Sequence, residues 1–124
     1  MLISATLALA VATAATPVAE RDQLRQSEHM YWRAINATQF DLWLGKEEAW
    51  RLTVSALCPA WPSTHLTLIT QQGHLKRQQE IIAKASAQCR LLRIEPLPSN
   101  ADHTLPIQKV ITVDAAKLKG NNKH

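Results

Sequence analysis

Two cysteines, Cys58 and Cys89, stand 31 residues apart in a chain of 124, behind an Ala-rich leader that carries no charge before Glu20. Together these features point to export followed by oxidation to a single disulfide, which persists in oxidising compartments and not in the cytosol. Closing a loop of about 32 residues stabilises a fold by about 3.7 kcal/mol in the chain-entropy treatment. The spacing is too wide for a Cys-x-x-Cys redox motif, and two cysteines are too few for a structural zinc site. Cys58-Pro59 also matches the dipeptide of haem-thiolate proteins, a pattern common enough by chance that a structural bridge remains the expectation.

Leu2 to Ala15 (LISATLALAVATAA) is apolar, too short to span a bilayer, and of the length of a signal-peptide core. Ala12 and Ala14 fit a small-x-small cleavage site, and Pro17 would stop a helix beyond it. The run lacks the polar face of an amphipathic helix, which argues against a buried cytosolic N-terminus, although the usual positive charge near Met1 is missing. No cysteine follows the run to accept a lipid. Residues 1–19 are therefore read as a signal peptide with cleavage near 14–19, leaving roughly 105–110 residues, one small domain. The expected location is periplasmic or secreted, with no transmembrane span.

Residues 20–30 are polar and read as a short helix or a solvated arm, ahead of a single domain over 31–114 and a frayed tail over 115–124. Gln39–Leu44 (QFDLWL) sets Phe40, Leu42 and Leu44 against Asp41 and Trp43, the period of a half-buried strand. Gly45 to Glu48 is a polar turn, and Trp50–Ser55 alternates again, so the two segments predict a β-hairpin. The CPAWPS stretch that follows cannot continue a central strand. His65–Thr70 and Ile107–Val113 predict two more strands. Between them, propensity favours a helix over Lys76–Ala87, with Glu80 and Lys84 spaced as an i,i+4 pair. A β reading instead breaks this stretch into Glu80–Ala85 and Cys89–Glu95, stopped by Pro96.

Two segments, WRLTVSALCPAW and AQCRLLRIEPL, resemble a family of small exported or lipid-anchored bacterial proteins classed as a domain of unknown function. In that family an aromatic-rich strand leads to one cysteine, and a strand of the form Cys-Arg-x-x-x-Ile-x-Pro/Leu carries the second. The resemblance spans roughly Tyr31–Leu97 and implies strands at Glu80–Ala85 and Cys89–Glu95, bridged through Cys58 and Cys89. It carries no activity and no catalytic residues. Many members are lipoproteins, and this chain lacks their lipid-accepting cysteine.

The net charge of +4 is concentrated: Lys76, Arg77, Lys84, Arg90 and Arg93 face one acid, Glu80, between positions 76 and 93, while the rest of the chain balances nine against nine. Such a segment either engages an anionic partner or forms the wet face of a sheet, where basic residues discourage edge-to-edge pairing. Tyr31, Trp32, Phe40, Trp43, Trp50 and Trp61 contain all the Phe, Trp and Tyr of the chain. Trp43 falls opposite Phe40 and Leu42, so a wet second face would make it an exposed aromatic contact, whereas packing under the Tyr31–Trp32 segment, the commoner arrangement, would bury it. The five histidines show no metal-ligand spacing, the serines lack a nucleophile-elbow context, and three glycines leave no phosphate loop. No cofactor or metal is indicated.

The sequence thus predicts a mainly β domain, a small barrel or twisted antiparallel sheet of about six strands, with α+β carrying a helix near 76–87 as the alternative. The expected function is non-catalytic: a binding or structural module for an anionic envelope component or an acidic protein. Export argues against nucleic acid. A small exported hydrolase or cofactor-binding protein without a recognisable motif is the competing class.

Overall fold

The computed structural model describes residues 20–121 except Ala87, so the leader and residues 122–124 lie outside the described residues. The chain is mainly β, as expected. Its elements are β1 (Gln23–Arg25), β2 (Met30–Asn36), β3 (Gln39–Leu44), β4 (Glu48–Val54), β5 (Leu66–Thr70), β6 (His74–Lys76), β7 (Leu91–Pro96), β8 (Val110–Asp114) and α1 (Ala115–Asn121). An antiparallel sheet of order β2-β3-β4-β7 is flanked by two pairs, β1-β6 antiparallel and β5-β8 parallel. An isolated bridge of Tyr31 with Lys109 joins the main sheet to the segment entering β8, and one of Leu68 with Ile82 ties the irregular segment after β6 to β5, without closing a barrel. Among the described residues no helix is long and apolar enough to cross a membrane.

The β3–β4 hairpin forms where the alternation places it, with Phe40 opposite Leu52 and Leu42 opposite Trp50. These side chains share one face and are buried with Trp32, Val54 and Ile94 against Leu66 and Leu68 of β5 and the β1–β6 pair Leu24 and Leu75. The Pro-punctuated loop after Cys58 is held on this core by Trp61. Its ring meets Phe40 edge-on at 5.2 Å and Trp32 at 6.1 Å, and its Nε1–H donates to Asn36 O at 2.6 Å. Residues 20–30 are not a detached arm: Leu24 is buried in β1, and Arg21 N–H donates to Ile94 O at 3.0 Å. The expected tail likewise starts as α1, which Asp114 caps by accepting from Ala116 N–H at 3.1 Å.

The opposite face of the main sheet corrects the expectation for Trp43, which is 2% exposed and offers no surface contact. The Arg33 guanidinium lies over its ring at 4.9 Å. That same guanidinium donates to Asp102 O and to Thr104 O, tying the segment after β7 across this face. Beside it Asp41 is fully buried, clasped by Arg51 at 2.8 and 3.1 Å, with Arg33 at 3.6 Å. The bidentate bond to Asp41 is the main cause of the raised pKa of Arg51. Alternation correctly divides the two faces; the cover over the second comes from a distant loop.

The helix alternative over 76–87 is not formed, and Glu80–Ala85 is not a regular strand. Ile81 and Ile82 are both buried, which strict strand alternation does not produce. The segment instead threads the core as turns, with Ile69 N–H bonding Ile81 O at 2.7 Å and Ala83 N–H bonding Thr67 O at 3.2 Å. Two of its residues, Gln78 (φ 71°) and Lys84 (φ 66°), are left-handed, a conformation incompatible with the helix. Lys84 is the third residue of a turn closed by Ala85 N–H to Ile82 O, a position where glycine is the usual occupant. Lys84→Gly is expected to raise stability by about 0.5–1 kcal/mol, the left-handed penalty less the extra freedom of glycine when unfolded. Urea unfolding checks this: a lower midpoint for the variant would show that the Lys84 side chain stabilises the fold.

Candidate functional site

The disulfide is formed between Cys58 and Cys89, with Cys89 fully buried. Around it, Ser55 joins the end of β4 to the chain before β7. Its hydroxyl donates to Gln88 O at 2.6 Å and accepts from Arg90 N–H at 3.0 Å, while its own N–H bonds Arg90 O at 3.0 Å. This hydroxyl is a brace between two backbone segments. It fixes the backbone of Arg90, and the Arg90 guanidinium donates to the carbonyl of left-handed Gln78 at 3.2 Å.

The five basic residues of the 76–93 segment do not make one positive face. Arg77 pairs with Asp22 at 3.2 Å. Arg93 pairs with Glu20 and with Glu95, the bond to Arg93 being the chief reason the Glu20 pKa is lowered. Lys84 lies beside a separate cavity of about 280 Å³ with Pro59, Pro62 and His65. Only Lys76 and Arg90 converge, on a cleft of about 680 Å³ between the β5–β6 turn, residues 78–80 and the start of α1.

Glutamine dominates the walls of this cleft: Gln71 and Gln72 on the β5–β6 turn, Gln78 and Gln79 after β6. The turn is a two-residue hairpin loop, since Gln71 and His74 exchange backbone bonds of 2.7 and 3.1 Å. Its residues Gln72 (φ 54°) and Gly73 (φ 81°) are both left-handed, as the twist of a tight hairpin demands. Asp114 seats this turn on α1. Its carboxylate accepts from Ala116 N–H and Thr70 Oγ, and bonding to the amides of Ala116, Gly73 and Gln72 lowers its pKa. Glu80 adds a second acid to the lining, and Ile69 with Ala115, Ala116 and Leu118 forms an apolar strip.

Sequence reasoning identified Lys76 and Arg90 but missed the glutamines. The available signal was the pair of doublets, Gln71-Gln72 and Gln78-Gln79, flanking the short HLK strand. Among the described residues, no three His, Cys, Asp or Glu side chains gather as a metal site. No family model, curated protein or solved structure matches the chain.

Proposed function

We propose that this protein is an exported, periplasmic or secreted, non-catalytic module that binds an anionic component of the cell envelope in the cleft between the β5–β6 turn and α1. The supporting observation is that Lys76 and Arg90 both line this cleft, the Arg90 guanidinium also donating to Gln78 O, while Arg77 and Arg93 lie outside it in ion pairs with Asp22, Glu20 and Glu95. The resemblance to small exported bacterial proteins and the Cys58–Cys89 bridge support the exported part of this reading. Lys76 and Arg90 act as charge-assisted donors to an acidic group of the ligand.

Fluorescence anisotropy with labelled hyaluronan oligosaccharides, in low and high salt, tests the site. Lys76→Gln is expected to weaken binding about ten-fold, the worth of one charge-assisted contact. Arg77→Gln and Arg93→Gln should change it less than about two-fold, since exposed pairs contribute little. Equal losses for all three would place binding on diffuse charge rather than in the cleft, and binding indifferent to salt would remove the ionic contact altogether. For export, the intact mass of protein recovered from a periplasmic extract should show a cleaved leader and a loss of two hydrogens. An uncleaved, reduced chain overturns that part of the reading.

A further inference from the structure

Resting on the cleft as the binding site, we infer that its ligand is a polyhydroxylated chain with sparse carboxylates, an acidic polysaccharide, and that Gln72 and Gln78 are its specificity contacts. Three non-glycine residues among those described are left-handed, Gln72, Gln78 and Lys84, and two of them, Gln72 and Gln78, line this one cleft. Both occupy turn positions that glycine or asparagine fills with less strain. Strain of this kind collects where a side chain is needed for function. Gln78 is further anchored, its carbonyl by Arg90 and its N–H by Leu91 O at 2.7 Å.

The chemistry of the lining selects among anionic ligands. The ionisable residues are Lys76 and Arg90 against Glu80 and Asp114, a formal sum of zero. A dense polyanion would meet as much repulsion as attraction here, whereas a chain with an occasional carboxylate can place it on the cations. Each glutamine amide offers two donors and one acceptor oxygen. Hydroxyl groups, which both donate and accept, use that surface fully; phosphate oxygens, which only accept, leave the amide oxygens without partners. The strip of Ile69, Ala115, Ala116 and Leu118 offers an apolar bed to the C–H face of a sugar ring. Acidic peptide motifs are ordinarily read by clusters of arginine, whereas this lining holds one arginine and four glutamines.

Calorimetric titration of the oxidised protein with hyaluronan oligosaccharides, whose carboxylates fall on every second sugar, with inorganic polyphosphate and with a Glu-rich peptide tests the inference. The hyaluronan oligosaccharide is expected to bind at least ten-fold more tightly than either other probe. Gln72→Gly and Gln78→Gly should each weaken it five-fold or more while leaving Tm unchanged or higher, a combination that a structural role cannot give. If Lys76→Gln weakens uronate binding and the glutamine variants do not, the cleft stands as the site and the specificity contacts are overturned. Preference for polyphosphate or for the peptide keeps an anion site and overturns the polysaccharide. Binding of none of the three overturns both readings.

Discussion

Replacing Cys58 and Cys89 together by alanine is expected to lower the unfolding free energy by about 3.7 kcal/mol, the entropy released to a loop of about 32 residues. For a domain of this size that is roughly a quarter to three quarters of the total stability, and Tm should fall by about 15 °C or more. The location of the bridge makes the local effect larger still. Cys89 is fully buried, and its neighbours Gln88 and Arg90 are both bonded to Ser55. Loosening that junction frees the backbone of Arg90, which holds Gln78 at the cleft. Urea unfolding of the oxidised protein, of the same protein with a phosphine reductant, and of the double variant provides the comparison. A loss below about 1 kcal/mol in both reduced and substituted forms would show that packing alone holds this junction.

The second large effect is expected at Asp41. Its carboxylate is fully buried, while the side chains that neutralise it, Arg51 and Arg33, remain 18% and 26% exposed. Arg51→Met keeps most of the apolar stem but leaves the carboxylate with Arg33 alone at 3.6 Å, and is expected to destabilise by about 3–5 kcal/mol. Asp41→Leu leaves two guanidiniums that can still reach water, so its cost should be visibly smaller, even though it removes the same ion pair. Chemical denaturation of the two variants gives the ordering directly. A milder Arg51→Met would mean that water or backbone rearrangement reaches the carboxylate, and that the geometry around Asp41 does not set the stability of this face.

The parts of the fold that were legible in the sequence are those governed by local alternation. The hairpin of β3 and β4 follows from Phe40, Leu42, Trp50 and Leu52 in strict period two, and β5 from its β-branched run. Cys89–Glu95 largely became β7. Where a distant segment decides the outcome, the pattern fails. Trp43 is buried because Arg33 and the segment it holds at Asp102 and Thr104 lie across its face, and nothing near Trp43 in the sequence encodes that cover. Residues 76–87 have helical propensity, yet Ile81 and Ala83 bond the backbone of β5 and Gln78 and Lys84 turn left-handed, a tertiary demand that overrides the local preference. The cleft was half legible: its cations stood out by charge, whereas its glutamines meet only because Asp114 draws the β5–β6 turn onto α1.

The position of β8 governs when this molecule can fold. It pairs in parallel with β5 and, through the bridge between Lys109 and Tyr31 and the bond from Trp32 N–H to Gln108 O, reaches the outer edge of β2. Two strand edges far apart in the chain therefore wait on a segment that follows both of them. Closure across such separations is slow, in the regime of proteins dominated by non-local pairing. Under the export proposed above, that delay would keep the chain a flexible polymer until the far side of the membrane, where β8 and the oxidant for the thiols would both be met.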